Sequence, residues 1–345
     1  MYVNERGNGI QLDFFSGRNI NKIFLISGFI IIGILLPLLF KNIFFRHLLV
    51  IMIIYSILSL SLDIIVGHMG QFSFGHQAFF GLGAYTSAIL SVTYGLPIII
   101  SALCGIILSA MLGFIVGLAS LKSARGFLLG IITLGVGRVL WLVTIKSSDV
   151  TKGNVGFSFI PKPSLWFPFL GKITLDTELS YYYFVIFWLL VTIYLIYAWK
   201  RSRFGRAVEL VRENELLAKS VGINPYTYYV GAFTFASALA GLAGVLYAHF
   251  NTTISPDTMS MSTMVSILAI VILGGKRTLI GPIIGSVIFI ALPEIFSGLK
   301  EFRMIIVGFI ILISIIFLKD GIVPYISRFF KNKIIERKFN KNGNS

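Results

Sequence analysis

The chain has 345 residues, 56% of them hydrophobic and 12% charged, with a mean hydropathy of +0.89 and a formal net charge of +15. A water-soluble domain of this length has no core large enough to hide that much apolar surface, so a bilayer must take much of it. The single cysteine, Cys104, excludes an intrachain disulfide, and the sequence has no CxxC pair or His/Cys metal cluster.

A membrane span needs about 20 predominantly apolar residues. Candidate spans fall, in chain order, at 23–40, 47–66, 72–93, 97–121, 126–145, 180–199, 229–249, 261–275, 280–296 and 302–318. The first is too long for a signal peptide and lacks a small-residue cleavage site. The third, eighth and ninth are Gly-rich, short or interrupted by polar residues. The expected fold class is an all-α integral membrane protein, a polytopic helical bundle with about ten transmembrane helices, some short or discontinuous. It divides into an N-terminal segment 1–22, a transmembrane domain 23–318 and a basic tail 319–345.

Lys and Arg set the orientation. With ten spans and a cytoplasmic N-terminus, the inside segments carry Arg6, Arg18 and Lys22; Lys122 and Arg125; the stretch Lys200–Gly222; Lys276 and Arg277; and the basic tail. The longest outside loop, 146–179, has four Lys, no Arg and three acids. The cations therefore report membrane orientation and not nucleic-acid binding. The end of the tail, 331–345, reads as frayed or lying on anionic headgroups.

Lys200–Gly222, KRSRFGRAVELVRENELLAKSVG, is a charged island with six cations and three anions. At 100° per residue, Ala207, Leu210, Val211, Asn214, Leu217, Ala218 and Val221 fall within about 120° of one helix face. Glu209, Arg212, Glu213, Glu215, Lys219 and Ser220 take the other side; Val208 and Leu216 spoil the division. Glu215 and Lys219 form an i,i+4 pair. Gly222 suits the left-handed position that ends a helix, and Pro225 stops its continuation. Two readings stand: a helix lying on headgroups, or one presented to a partner. Anionic lipid repels the three acids, and the cations cluster at the front of the helix, which favours a partner. The apolar stripe is expected to pack on the membrane domain and the charged side to meet the partner.

Gly67–Tyr85, GHMGQFSFGHQAFFGLGAY, places five glycines among Gln71, Ser73, His76 and Gln77 at the edge of an apolar span. It reads either as a broken segment lining a pathway or as a tightly packed helix pair. A weaker counterpart lies at Gly274, Gly275, Gly281, Pro282 and Gly285. Arg138 falls within the fifth span, Asp63 near the inner end of the second and Glu294 near the outer end of the ninth. Arg138 either snorkels outward or pairs with one of those acids. The outside stretch Lys152–Pro163 is a docking surface or an ordered connector. Gly274-Gly275-Lys276-Arg277-Thr278 lacks the G-x-x-x-x-G-K-[ST] of a phosphate loop, so the chain is not expected to bind ATP. No nucleophile–base pair can be named. No enzyme activity and no cofactor are expected.

Five stretches in order resemble permease subunits of branched-chain amino-acid ABC importers, of the LivM-type branch. They are GQFSFGHQAFFGLGAYTSA (Gly70–Ala88), GNVGFSFIPKP (Gly153–Pro163), GRAVELVRENELLAKSVGIN (Gly205–Asn224), AFTFASALAGLAGVLYA (Ala232–Ala248) and ILGGKRTLIGPIIGSV (Ile272–Val287). The resemblance spans about residues 45–318. It implies a multi-pass protein of the bacterial cytoplasmic (inner) membrane with both termini cytoplasmic. The implied partners are a related second permease, two ATP-binding subunits and an extracytoplasmic amino-acid binding protein. The loop 200–228 then corresponds to the coupling loop, with Gly205, Arg206, Arg212, Glu213, Asn214, Ala218 and Gly222 at the ATPase contact. Gln71, Ser73, His76, Tyr85 and Arg138 are the pathway candidates. The chain departs from its relatives at Arg138, at Lys276-Arg277 and in FLKDGIVPY (Phe317–Tyr325). The alternative function is a self-contained secondary transporter or channel, which predicts an ion-coupling carboxylate at mid-membrane.

Overall fold

The first helix, α1 (Ile43–Asp63), opens at Asn42, whose side chain accepts the Phe44 amide at 3.0 Å. It runs on through a π-helical turn, Ile64–His68, before the backbone leaves the helix at 69–75. Then come α2 (His76–Val92), α3 (Ile98–Ser120), α4 (Phe127–Lys146) and the single turn α5 (Ser148–Thr151). In the outside loop a short hairpin of β1 (Ser164–Phe167) and β2 (Gly171–Thr174) pairs Ser164 with Thr174 and Phe167 with Gly171, a small addition to the helical bundle. Next are α6 (Glu178–Arg201), α7 (Arg203–Glu213), α8 (Glu215–Ser220) and α9 (Pro225–Asn251). A 3-10 turn at Pro256–Met259 leads into α10 (Met261–Gly274) and α11 (Gly281–Ile295). The computed structural model describes residues 42–122, 124–167, 171–296 and 321–326, with positions 33, 36, 37, 298, 305, 308, 309 and 312 besides. Most of the expected spans 23–40 and 302–318 and most of the tail lie outside the described residues.

Helices thus occupy eight of the ten expected spans. Five of them, α1 with its π turn, α3, α4, α6 and α9, are long and apolar enough to cross a bilayer. The other three, α2, α10 and α11, have 17, 14 and 15 residues. A 14-residue helix rises about 21 Å, short of the roughly 30 Å hydrocarbon core. These are the discontinuous elements that the third, eighth and ninth spans foreshadow.

Burial separates the centre from the periphery. The apolar windows of α1 and α9 are 83% and 78% buried, against 22%, 28% and 28% for α3, α4 and α6. A helix that is apolar all round and buried is a core helix; one that exposes its apolar face here faces lipid or another subunit. Small residues let α9 approach its neighbours. A methyl group on Gly244 would overlap the Phe80 carbonyl oxygen, and one on Gly83 the Gly241 carbonyl. Between helices in lipid, such close backbone contact is the main source of packing energy.

Two buried histidines tie these helices together. Ser61 Oγ donates to the Leu58 carbonyl at 2.6 Å, so His76 Nε2, 2.7 Å from Ser61 Oγ, is the donor there. His249 Nδ1 donates to the Pro161 carbonyl at 2.7 Å, leaving Nε2 to accept from Ser87 Oγ at 2.7 Å. That second histidine anchors the outside loop to α2 and α9. Gly156 completes the anchor: a side chain there would overlap the Ile254 carbonyl, and Phe157 and Ile254 exchange hydrogen bonds at 2.9 and 2.8 Å.

Gly244→Val is expected to destabilise the purified protein by about 2 kcal/mol, the usual scale of overpacking. Gly135→Val, with open space around it, should be neutral. Thermal unfolding in detergent measures both, and equal melting temperatures would contradict the packing assignment.

Candidate functional site

Four chain segments expected on the cytoplasmic side converge: the π turn and the 69–75 stretch, the 121–126 loop, the charged island, and the 275–280 turn. Ser202 starts the island by capping α7, its Oγ accepting the Gly205 amide at 3.1 Å. The helix then breaks at Asn214, which is extended (φ −153°, ψ 103°). Asn214 in turn caps α8, its Oδ1 accepting the Leu217 amide at 3.0 Å. At the far end Ile223 N donates to the Ala218 carbonyl at 2.9 Å and Gly222 N to the Lys219 carbonyl at 3.0 Å. Gly222 has φ +80°. These two bonds around a left-handed glycine make the Schellman stop expected there. Pro225 does more than block continuation: it occupies the first turn of α9, where its missing amide costs nothing.

The break at Asn214 divides the predicted apolar stripe. Ala207, Val211 and Ala218 are buried, as a face packed on the membrane domain requires. Val208, placed off the stripe, is buried too. Leu216, Leu217 and Val221 instead stand 78%, 51% and 61% exposed. The expectation that one continuous stripe packs inward therefore fails in α8, because Asn214 re-aims the second helix.

Two of the island's acids, Glu209 and Glu215, are partly buried against basic side chains of other segments, while Glu213 stays exposed. Glu209 Oε1 lies 3.0 Å from His68 Nδ1. Burial disfavours the Glu209 charge, but the His68 hydrogen bond and charge, with Lys200 and Arg277, outweigh it and hold the carboxyl below its usual value. Glu213 Oε1 lies 3.9 Å from Arg277 Nη2. Glu215 pairs with Arg125 and, at 2.8 Å, with Lys219, the expected i,i+4 pair. Glu209 and Glu215 are thus engaged with the chain's own loops, whereas Glu213 remains open to solvent.

The remaining candidate residues of the island differ in their surroundings. Gly205 is buried against the Trp199 carbonyl, which leaves no room for a side chain. Arg206 is exposed and donates to the Arg201 carbonyl. Arg212 is half-buried and lies over Gly70, itself at φ +65°. Asn214 and Gly222 are exposed hinges at the two ends of α8, and Ala218 is fully buried.

Beside the island, the non-helical stretch 69–75 is held by hydrogen bonds to several neighbouring segments. Gln71 N donates to the Ile65 carbonyl at 3.0 Å and Phe74 N to Thr133 Oγ1 at 2.9 Å. Gln71 Oε1 accepts the Gly126 amide at 2.6 Å, and Tyr229 Oη donates to the Met69 carbonyl at 3.0 Å. Irregular backbone at membrane depth requires such protein partners. Both sequence readings of this region hold in part: 69–75 is broken, and α2 beyond it is close-packed. Ser73 and His76 are buried, and Ser73 Oγ, His76 Nδ1, Gln77 Oε1 and Tyr85 Oη have no hydrogen-bond partner.

Asp63 closes the cluster. Both of its carboxylate oxygens accept the Arg277 amide at 3.0 Å. It therefore does not pair with Arg138. The Arg138 side chain is exposed on α4, its guanidinium 3.8 Å from the centre of the Trp141 ring. Among the described residues no ion pair joins it to Glu294 either. Sequence reasoning missed the apolar tip Leu216–Leu217–Val221. The signal was Asn214 itself, a strong capping residue followed by an acid.

Replacing Asn214 by Ala is expected to cost α8 about 1 kcal/mol. Amide hydrogen exchange should quicken across 215–220 and stay unchanged across 203–213. Uniform change over both would mean a single continuous helix.

The family described as branched-chain amino acid transport system / permease component matches residues 44–315. The chain is 30% identical over 289 residues to the high-affinity branched-chain amino acid transport system permease protein LivM of Escherichia coli (strain K12), covering 79% of this chain and 68% of that one. It is 29% identical to a probable branched-chain amino acid transport permease protein LivH of Methanocaldococcus jannaschii, over 67% of this chain and 72% of the other. A nucleoside ABC transporter permease protein NupC of Lactococcus lactis is 25% identical over 74% of this chain and 86% of its own. No solved structure matches at a significant level. The match over residues 44–315, which takes in all four converging segments, shows that the chain belongs to the permease component family of branched-chain amino acid transport systems.

Proposed function

We propose that this chain is a transmembrane permease subunit of an ATP-driven importer of branched-chain amino acids. It resides in the bacterial cytoplasmic membrane with both termini inside. It forms the pathway together with a second homologous permease, takes cargo from an extracytoplasmic binding protein, and is driven by two separate ATPase subunits. The family match supports the class, and the similarity to LivM supports the cargo over the nucleosides named for a more distant relative.

The observation that carries the coupling role is the split island. Glu209 and Glu215 hold it to the permease at His68 and Arg125, while Leu216 and Leu217 of a six-residue helix, and Val221 at its end, stand exposed. An apolar knob on a charged, well-anchored base is the form of a docking element: the knob gains from burial in a partner's groove, and the base transmits the force. A helix lying on headgroups has no use for Glu209 and Glu215 paired to the permease's own loops. The alternative, a self-contained secondary transporter, needs a coupling carboxylate free at mid-membrane. Asp63 is committed to the Arg277 amide at the inner end.

Leu216→Asp with Leu217→Asp is expected to abolish co-purification with the ATPase subunits while membrane abundance stays at the wild-type level. Ala218→Trp, at a fully buried site, should lower abundance as well. Full retention of the ATPase by the double variant would refute docking through this tip.

A further inference from the structure

On the opposite side of the molecule a cleft of about 300 Å³ is lined by Tyr55 of α1, Phe80 of α2, Tyr247 of α9 and the segment 255–263. That volume is at the lower end of small-ligand pockets. Its floor exists because α10 is short. α10 has only 14 residues, and its far end is fixed by the 275–278 turn, whose Arg277 amide donates to Asp63. The segment 252–260 descends from the outer end of α9 to meet the start of α10. Met259 packs against Gly81, where a side chain would overlap it, and Thr144 Oγ1 donates to Met259 Sδ at 3.5 Å. The descending backbone is held from outside by Phe157 and by Ile160, whose amide donates to the Thr252 carbonyl at 2.9 Å.

The lining has three chemical parts. One wall is aromatic: the Phe80 ring lies 5.3 Å from that of Tyr247 and 6.4 Å from that of Tyr55. A second part is the carboxylate of Asp257, exposed to the cleft, which accepts from the Ser255 hydroxyl at 3.3 Å and faces no cation among the described residues. The third is the start of α10. Ser260 caps it, accepting the Thr263 amide at 3.4 Å, and Ser260 Oγ lies 2.7 Å from Ser262 Oγ. The amides of Met261 and Ser262, in the first turn, have no intrahelical acceptor. Beside the cleft, the Tyr85 hydroxyl is buried without a hydrogen-bond partner, within the field of Asp257.

A cavity with one acid, one set of converging donors at a helix start, and an apolar wall is complementary to a small zwitterion with a hydrophobic side chain. We infer that this cleft holds the amino acid during translocation. The ammonium group takes Asp257, the carboxylate takes the hydroxyls and free amides at the start of α10, and the aliphatic side chain lies on the Tyr55–Phe80–Tyr247 wall. A half-helix start aimed at an anionic group, with irregular backbone lining the cavity, is how membrane transporters satisfy such a ligand at depth. The assignment rests on the chain being an amino-acid permease.

The test is the initial rate of radiolabelled L-leucine uptake at saturating concentration, by the complete transporter in cells lacking other leucine uptake. Saturation removes capture outside the membrane from the readout. Asp257→Asn is expected to lower the rate at least about tenfold, the factor a lost charge-assisted hydrogen bond gives. Asp257→Glu should stay within about threefold of wild type, and Ser262→Val, at an exposed position, should lose about fivefold. Membrane abundance and ATPase co-purification should not change. Normal uptake by Asp257→Asn, or equal losses in the Asn and Glu variants, would overturn the site while leaving the proposed function intact. Should Asp257→Asn fail to reach the membrane, Ser262→Val decides: wild-type uptake overturns the site. A wild-type transporter that moves no leucine would refute the proposed function, and the site with it.

Discussion

Both oxygens of the buried Asp63 carboxylate accept one amide, that of Arg277, and the four converging segments meet around this contact. A carboxylate removed from water is costly unless hydrogen bonds and opposite charge repay it. Here the Arg277 amide supplies the hydrogen bonds, and it and the nearby Lys200 and Lys276 offset part of that cost. Gly67 makes room, since a side chain there would overlap the carboxylate. Arg277 is held at φ +65°, a left-handed conformation that a non-glycine residue adopts only when its surroundings enforce it. In that pose its side chain reaches Glu213 on the island.

One consequence is mechanical. Two helices bound the outer cleft from below, α1 through Tyr55 and α10 through its first turn. Both are gripped at their inner ends by the same cluster, α1 through Asp63 and His68, α10 through the turn carrying Arg277. Tyr55 stands eight residues from Asp63, about 12 Å along the helix. The island helix α7 meets both inner ends, through Glu209 with His68 and Glu213 near Arg277. The bilayer enforces the same economy elsewhere. The irregular stretches 69–75 and 252–260 each draw hydrogen bonds from neighbouring segments, at Met69, Phe74, Thr252 and Ile254.

Much of this was legible in the sequence. Hydropathy located the eight described spans, because an apolar run of near-membrane length has one stable solution in lipid. Basic residues placed Arg125, the island and Arg277 on one side, and the ion pairs bring those three together. Gly222 read correctly as a helix stop, since the left-handed position it fills is a local property. What stayed hidden was non-local. Periodicity ran smoothly through Asn214, so the stripe looked continuous; a cap that re-aims six residues changes the face without changing the spacing. The inward role of Glu209 and Glu215 depends on partners about 140 and 90 positions away in the chain. Asp63 took a backbone amide as its partner, which no pattern of side chains announces. The descent of 252–260 left only a trace, the shortness of the eighth span.

The central claim is that the island is a rigid base with an apolar tip reserved for a partner. Hydrogen exchange of the full-length chain, purified alone and with its ATPase subunits, tests it directly. The account predicts that amides in 203–213 are protected in both states, while those in 215–222 gain protection only when the ATPase is present. Protection of 215–222 in the chain alone, or none gained in the complex, would contradict it.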